Sequence, residues 1–158
     1  MRALALGFVL LAAGCCGYST RSLLPSHLKT VAVPPATNTT TQPGLAEALT
    51  DELTLAFTSD RTLRVTNAEA ADLVVSVTVS SYTRTPSSYT GDQAVSAYEL
   101  SVSAQVEARD QTRDEVFYSG AASARVTYDP NAKTEEVAAA EAVKKLASEI
   151  VRQVQIAW

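Results

Sequence analysis

The sequence offers little for metal or acid–base chemistry. It has one histidine, His27, and its two cysteines, Cys15 and Cys16, are adjacent near the N-terminus. The common zinc arrangements need three or four spaced ligands and are excluded. A nucleophile pair between His27 and either cysteine lacks a third, orienting residue. There is no glycine-rich phosphate loop, no G-x-S-x-G elbow and no H-E-x-x-H helix. Charge is also scarce: 13 Lys and Arg stand against 17 Asp and Glu, for a net charge of -4 and 19% charged residues. General nucleic-acid binding rests on cations that neutralise phosphates, so nucleic acid is not an expected partner. The chain reads as a non-enzyme without metal or diffusible cofactor. It has no internal repeat, and 158 residues suit one domain.

The N-terminal segment reads differently from the rest. Met1 and Arg2 make a short positive start, and Ala3 to Ala13 is an apolar run too short to span a bilayer as a helix. Ala12, Ala13 and Gly14 then lead to a cysteine. This pattern resembles the bacterial lipobox, in which cleavage exposes a cysteine that is acylated. The family pattern has Leu three places before the cut; here Ala12 stands there, with Leu11 one place earlier. Gly14 makes Cys15 a better acceptor than Cys16. Residues 1–14 are thus expected to be a lipoprotein signal peptide and 15–28 a lipidated N-terminus and tether. Cys15 would carry a diacylglycerol and an acyl chain, and several chains anchor stably where one does not. Cys16 rather than Asp follows Cys15, so an inner-membrane retention signal is absent. The expected location is the periplasmic face of the outer membrane.

Residues 29–158 pattern as one α+β domain. "KTVAVPP" predicts a short strand that Pro34 and Pro35 end. "ATNTTTQPG" reads as a polar loop. Leu45, Leu49, Leu53 and Phe57 recur every four residues and predict a helix opened by Pro43 and Gly44. Asp51 and Glu52 on it are neighbours in sequence but do not face each other, so they read as solvated surface. "RTLRVTN" gives a second short strand. Three long strands follow. Leu73, Val75, Val77 and Val79 alternate with Ser76, Thr78 and Ser80, running on to Tyr82 and Arg84. Tyr98, Leu100, Val102, Ala104, Val106 and Ala108 alternate with Glu99, Ser101, Ser103, Gln105, Glu107 and Arg109. Beyond a turn at "DQTRD", Val116, Tyr118, Gly120, Ala122, Ala124 and Val126 share a face. A long helix from about Thr134 carries Val143, Leu146, Ala147, Ile150, Val151, Val154 and Ala157 as its stripe. The expected fold is a two-layer sandwich of order β-α-β-β-β-β-α. Its mixed, mostly antiparallel sheet would carry both helices on one face.

The stretch "CGYSTRSLLPSHLKTVAVPPATNTTTQPGLAEALTDELTLAF" resembles the opening of the lipopolysaccharide-assembly lipoprotein family LptE. The shared features are Gly17-Tyr18 after the cysteine, Leu24-Pro25, Lys29 to Pro34, and Asn38 to Leu45. "ADLVVSVTVSSYTRTPSSY" is similar to the family's first long strand, with Tyr82, Arg84 and Pro86 at its end. One departure is Cys15-Cys16, where the family has a single cysteine before Gly. The resemblance implies a two-layer α/β sandwich that partners and plugs the β-barrel translocon LptD and takes part in lipopolysaccharide insertion, with lipopolysaccharide itself as a ligand. The β-α-β start with "VAVPP" also resembles the curli-secretion and penicillin-binding-protein-activator lipoproteins. That alternative is an envelope lipoprotein that recruits or activates a periplasmic enzyme or secretion channel.

Lipopolysaccharide phosphates call for guanidinium groups, which match them bidentately. The candidates near strand ends and hairpins are Arg84, Arg109, Arg113 and Arg125, with Arg84 and Arg109 expected on the polar faces of their strands. For barrel contact the candidate face is Ser76, Thr78, Ser80, Ser101, Ser103 and Gln105, an uncharged small-residue surface suited to a polar barrel lumen.

Overall fold

The computed structural model describes residues 24–91 and 94–157. The elements run β1 (Thr30–Ala32), β2 (Thr37–Asn38), α1 (Leu45–Asp60), β3 (Arg64–Val65), a 3-10 turn (Ala68–Ala70), β4 (Leu73–Tyr89), β5 (Val95–Asp110), β6 (Glu115–Tyr128) and α2 (Glu135–Ile156). The sheet is mixed and open, in the order β3-β1-β4-β5-β6, and β2 also pairs with β4. β1 is parallel to β3 and β4; β4, β5 and β6 form an antiparallel meander. This is the expected α+β class, with β2 added where the sequence read as loop. Two residues are too few to show a period, and Thr37 and Asn38 gain their strand geometry only by pairing with Thr78 and Val79.

α1 begins at Gly44, whose φ of 78° is left-handed and free of a Cβ penalty in glycine. Leu45, Leu49, Leu53 and Phe57 are all buried. The helix ends at Arg61, also left-handed, whose N–H donates to Phe57 O at 3.3 Å. α2 buries Ala138, Ala142, Val143, Leu146, Ala147, Ile150, Val151 and Val154. Ala157 lies past the end of the helix and is exposed. Both helices pack on the face of the sheet that carries Leu73, Val75, Val77, Val79, Leu100, Val102, Ala104 and Val106, giving one core. At about 25 cal/mol per Å² of apolar area, this burial is the main stabilising force.

Of the four register shifts in the long strands, two change which face the expected residues take. Val79 opposes Ala104 and Ser81 opposes Ser103, so Ser80 is an extra residue in β4. Beyond it the parity flips: Tyr82 faces Val102 and Arg84 faces Leu100, on the helix side. In β6, Ala108 opposes Tyr118 and Arg109 opposes Val116, so Phe117 is extra. Val116 therefore leaves the apolar face and is exposed, whereas Tyr118 and the residues after it hold the expected face.

Candidate functional site

The sheet face away from the helices is a field of hydroxyls. Period-2 alternation buries the apolar half of each strand and leaves the other half outward. Thr78 lies opposite Gln105, Ser81 opposite Ser103 and Thr83 opposite Ser101. β6 extends the same face: Ala121 lies opposite Gln105, Ser123 opposite Ser103 and Arg125 opposite Ser101. Ser80 is exposed at the bulge, and its hydroxyl donates to Ser103 O at 3.3 Å. Ser76, Thr78, Gln105, Glu107 and Ser119 line a shallow hollow of about 300 Å³. All six residues expected on this face reach it. Sequence reasoning missed Ser81 and Thr83, which the bulge moves there. It also missed Ser119, Ser123 and Thr127, whose alternation along β6 was the available signal.

The four arginines are dispersed. Arg84, turned by the Ser80 bulge, is not on the polar face. Its Nη1 is 3.1 Å from Glu135 Oε2, and its guanidinium lies 3.7 Å above the Tyr98 ring. Tyr82 donates to Glu135 Oε1 at 2.9 Å. Burial, then that hydrogen bond to a carboxylate, pushes the Tyr82 phenol above its ordinary range. Arg109 is on the hydroxyl face as expected, but its Nη1 is 3.1 Å from Asp114 Oδ1. Arg113, in the β5–β6 turn, is 3.6 Å from Glu115. Arg84 lies opposite Leu100, nine residues from Arg109 along β5 and so about 30 Å away, and the two cannot grip one phosphate. Arg125 sits among Ser101, Ser123 and Thr127 with no carboxylate partner among the described residues.

His27 Nε2 is 2.5 Å from Asp110 Oδ2. Cys15 and Cys16 lie outside the described residues, so the acylation expected at Cys15 is not addressed by this geometry. Among the described residues no group of three or more His, Cys, Asp or Glu could hold a metal. No described helix is long and apolar enough to cross a membrane.

The model of the LptE lipopolysaccharide-assembly family matches residues 28–154. No curated protein sequence matches. Among solved structures, the hypothetical protein CT253 of Chlamydia trachomatis is 15% identical at TM-score 0.61, over 81% of this chain and 96% of that one. Lipoprotein B of Nitrosomonas europaea is 18% identical at TM-score 0.58, over 89% and 91%. PelC of Paraburkholderia phytofirmans, a dodecamer, is 19% identical at TM-score 0.57, over 83% and 92%. At these identities the likeness is one of fold.

Proposed function

Because the chain belongs to the LptE family of lipopolysaccharide-assembly proteins, we propose that it is an outer-membrane lipoprotein that partners and plugs an LptD-type β-barrel. Cys15 is its acyl acceptor, and the domain hangs at the periplasmic face. The observation that carries this reading is the hydroxyl face of β4, β5 and β6. An ordinary exposed protein surface carries interspersed Lys, Arg, Glu and Asp. This one presents Ser, Thr, Gln or Ala at most of its positions. Such a face exchanges hydrogen bonds with a polar lumen and carries few charges that would have to shed water, namely Glu99, Glu107, Arg109 and Arg125 among the described residues. A lumen that admits a two-layer domain belongs to a barrel of about 22 strands or more, since small barrels are filled by their own side chains. Of the four arginines, Arg125 is the one without a carboxylate among the described residues and so the candidate for a lipopolysaccharide phosphate, because the other three already meet carboxylates.

The test is capture of the lipidated protein from detergent-solubilised outer membranes, with mass spectrometry of what is retained. A stoichiometric large β-barrel is the expected result. Retention of only a periplasmic enzyme or a secretion channel, from membranes that contain such a barrel, overturns this reading in favour of a recruiter.

A further inference from the structure

The segment before β1 lies against the domain. Leu28 is buried, Leu24 packs at the edge of the core, and the Leu28 N–H donates to Pro25 O at 3.0 Å. His27 joins Asp110 across 83 residues of sequence. Asp110 closes β5 and is 1% exposed, which is rare for a carboxylate without a partner. Its Oδ1 accepts from the N–H groups of Thr112 at 2.8 Å and Arg113 at 3.2 Å, so the same side chain builds the β5–β6 turn. Burial alone would raise its pKa. Hydrogen bonds from His27 and from these two backbone groups outweigh burial and keep the carboxyl below its usual range, hence ionised. Just before β4, Asp72 accepts from the Lys29 and Thr30 N–H groups and the Thr30 hydroxyl. Two carboxylates therefore hold one short strap.

We propose that the His27–Asp110 pair is a clasp that fixes how the domain hangs from its anchor. This rests on the anchor at Cys15 proposed above. Any pull or swivel at a lipidated Cys15 reaches the domain through the residues before β1. β1 itself is three residues long and pairs with β4 at two positions, a weak point for such a load. With the clasp closed, the load passes at His27 into the β5–β6 turn, and β1 is spared. The twelve residues from Cys15 to His27 span at most about 40 Å, while β5 alone runs about 50 Å from Asp110 to the opposite hairpin. The clasped end therefore stays within that reach of the bilayer, and the β4–β5 hairpin lies about 50 Å from the clasp along β5. Imidazole donates through Nε2 both in its Nε2–H neutral tautomer and when charged, so the clasp does not require a charged His27.

The experiment uses the full acylated chain in lipid nanodiscs, with Cys16→Ser and a fluorophore on Gly91→Cys. Energy transfer to a bilayer dye reports the distance distribution of the hairpin. Hydrogen exchange reports the strap. The native chain is expected to give a narrow distribution. His27→Ala should broaden it and speed amide exchange in Leu24–Ala32 by about tenfold or more, with β5 and β6 unchanged. His27→Gln, which keeps an N–H donor, should resemble the native chain. Should His27→Ala fail to fold, Asp110→Asn, which keeps an Oδ1 acceptor for the turn, is expected to loosen the strap in the same way. Identical distributions and strap exchange in native and loosened chains overturn the clasp. Mass spectrometry of Cys15 reads the anchor separately, and an unacylated Cys15 overturns the anchor while the exchange data still judge the clasp.

Discussion

The ring of Tyr118 lies across Gly120, two residues further along β6, and its hydroxyl donates to Gln153 Oε1 on α2 at 2.7 Å. A Cβ at Gly120 would overlap the end of that ring, with Cζ at 2.8 Å. Glycine here keeps open the space through which β6 is tied to α2. Gly120→Ala is expected to displace the ring, break the bond to Gln153 and cost about 1–2 kcal/mol. Tyr118→Phe, which loses only the bond, should cost about 1 kcal/mol. In a Tyr118→Ala background, Gly120→Ala should become nearly neutral, because the clash is gone. Chemical denaturation of the four proteins checks this as a double-mutant cycle. Additive losses would show that Gly120 is needed for another reason.

The alternation that marks the three long strands is legible because one face is buried by two helices, and burial enforces period 2 on sequence. The two helices are legible for the same reason, through Leu45 to Phe57 and Val143 to Val154. Bulges escape such reading. Ser80 stands in a run of Ser, Ser and Tyr that continues the alternation equally well with or without an extra residue, so Arg84 was expected on the wrong face. Val116 followed the same error at Phe117. The hydroxyl face was half legible: β4 and β5 showed it, and β6 needed only the same count carried one strand further. The His27–Asp110 pair was not legible at all. Nothing local signals a contact between residues 83 apart, and a lone histidine gives no period.

Acid should loosen the strap before it unfolds the core. Asp72 is held below the ordinary carboxylate value of 3.8, first by the Lys29 N–H and then by the Thr30 hydroxyl, against the opposing effect of burial. Asp110 is held below the same value because its hydrogen bonds outweigh burial. Groups with a depressed folded pKa contribute stability that is fully present above the unfolded value and is lost as pH falls through the folded one. Stability should thus be flat down to about pH 4 and fall below it. Asp72→Ala, which orphans two backbone N–H groups and a hydroxyl, should cost about 2–3 kcal/mol at neutral pH and flatten the acid limb. Denaturant midpoints measured from pH 7 to pH 2.5 decide the matter; an Asp72→Ala chain with an unchanged acid limb contradicts it.

The Tyr82 phenol is expected to resist ionisation. Burial comes first among the causes, and the Glu135 carboxylate that accepts its proton comes second. Glu135→Gln keeps an acceptor but removes the charge, so Tyr82 should titrate at lower pH than in the native chain. The ion pair lost with Arg84 is more than a third exposed at that arginine, so the change should cost under about 1 kcal/mol. Tyrosine ring resonances followed by NMR from pH 8 to 12 would show a downward shift at Tyr82, with Tyr89 as an exposed control. An unmoved Tyr82 would show that the Glu135 charge contributes nothing and leave burial and the hydrogen bond as the causes.

Docking through the hydroxyl face makes a prediction that capture alone does not. Ser76 on β4 and Ser123 on β6 are exposed on that face, and neither side chain bonds to another described residue. Replacing each by Lys leaves the isolated fold within about 0.5 kcal/mol, as for most surface changes. Inside a lumen, however, each ammonium would have to shed water without a partner carboxylate, a cost of several kcal/mol. Barrel capture by the Ser76→Lys, Ser123→Lys chain should therefore fall by at least about tenfold. Ser148→Lys on the outer side of α2, also exposed, should leave it unchanged. Quantitative capture from the same membranes compares the two. Equal loss in both would place the contact on the whole surface rather than the sheet. Loss with Ser148→Lys alone would place it on the helical layer and remove the sheet face from the interface.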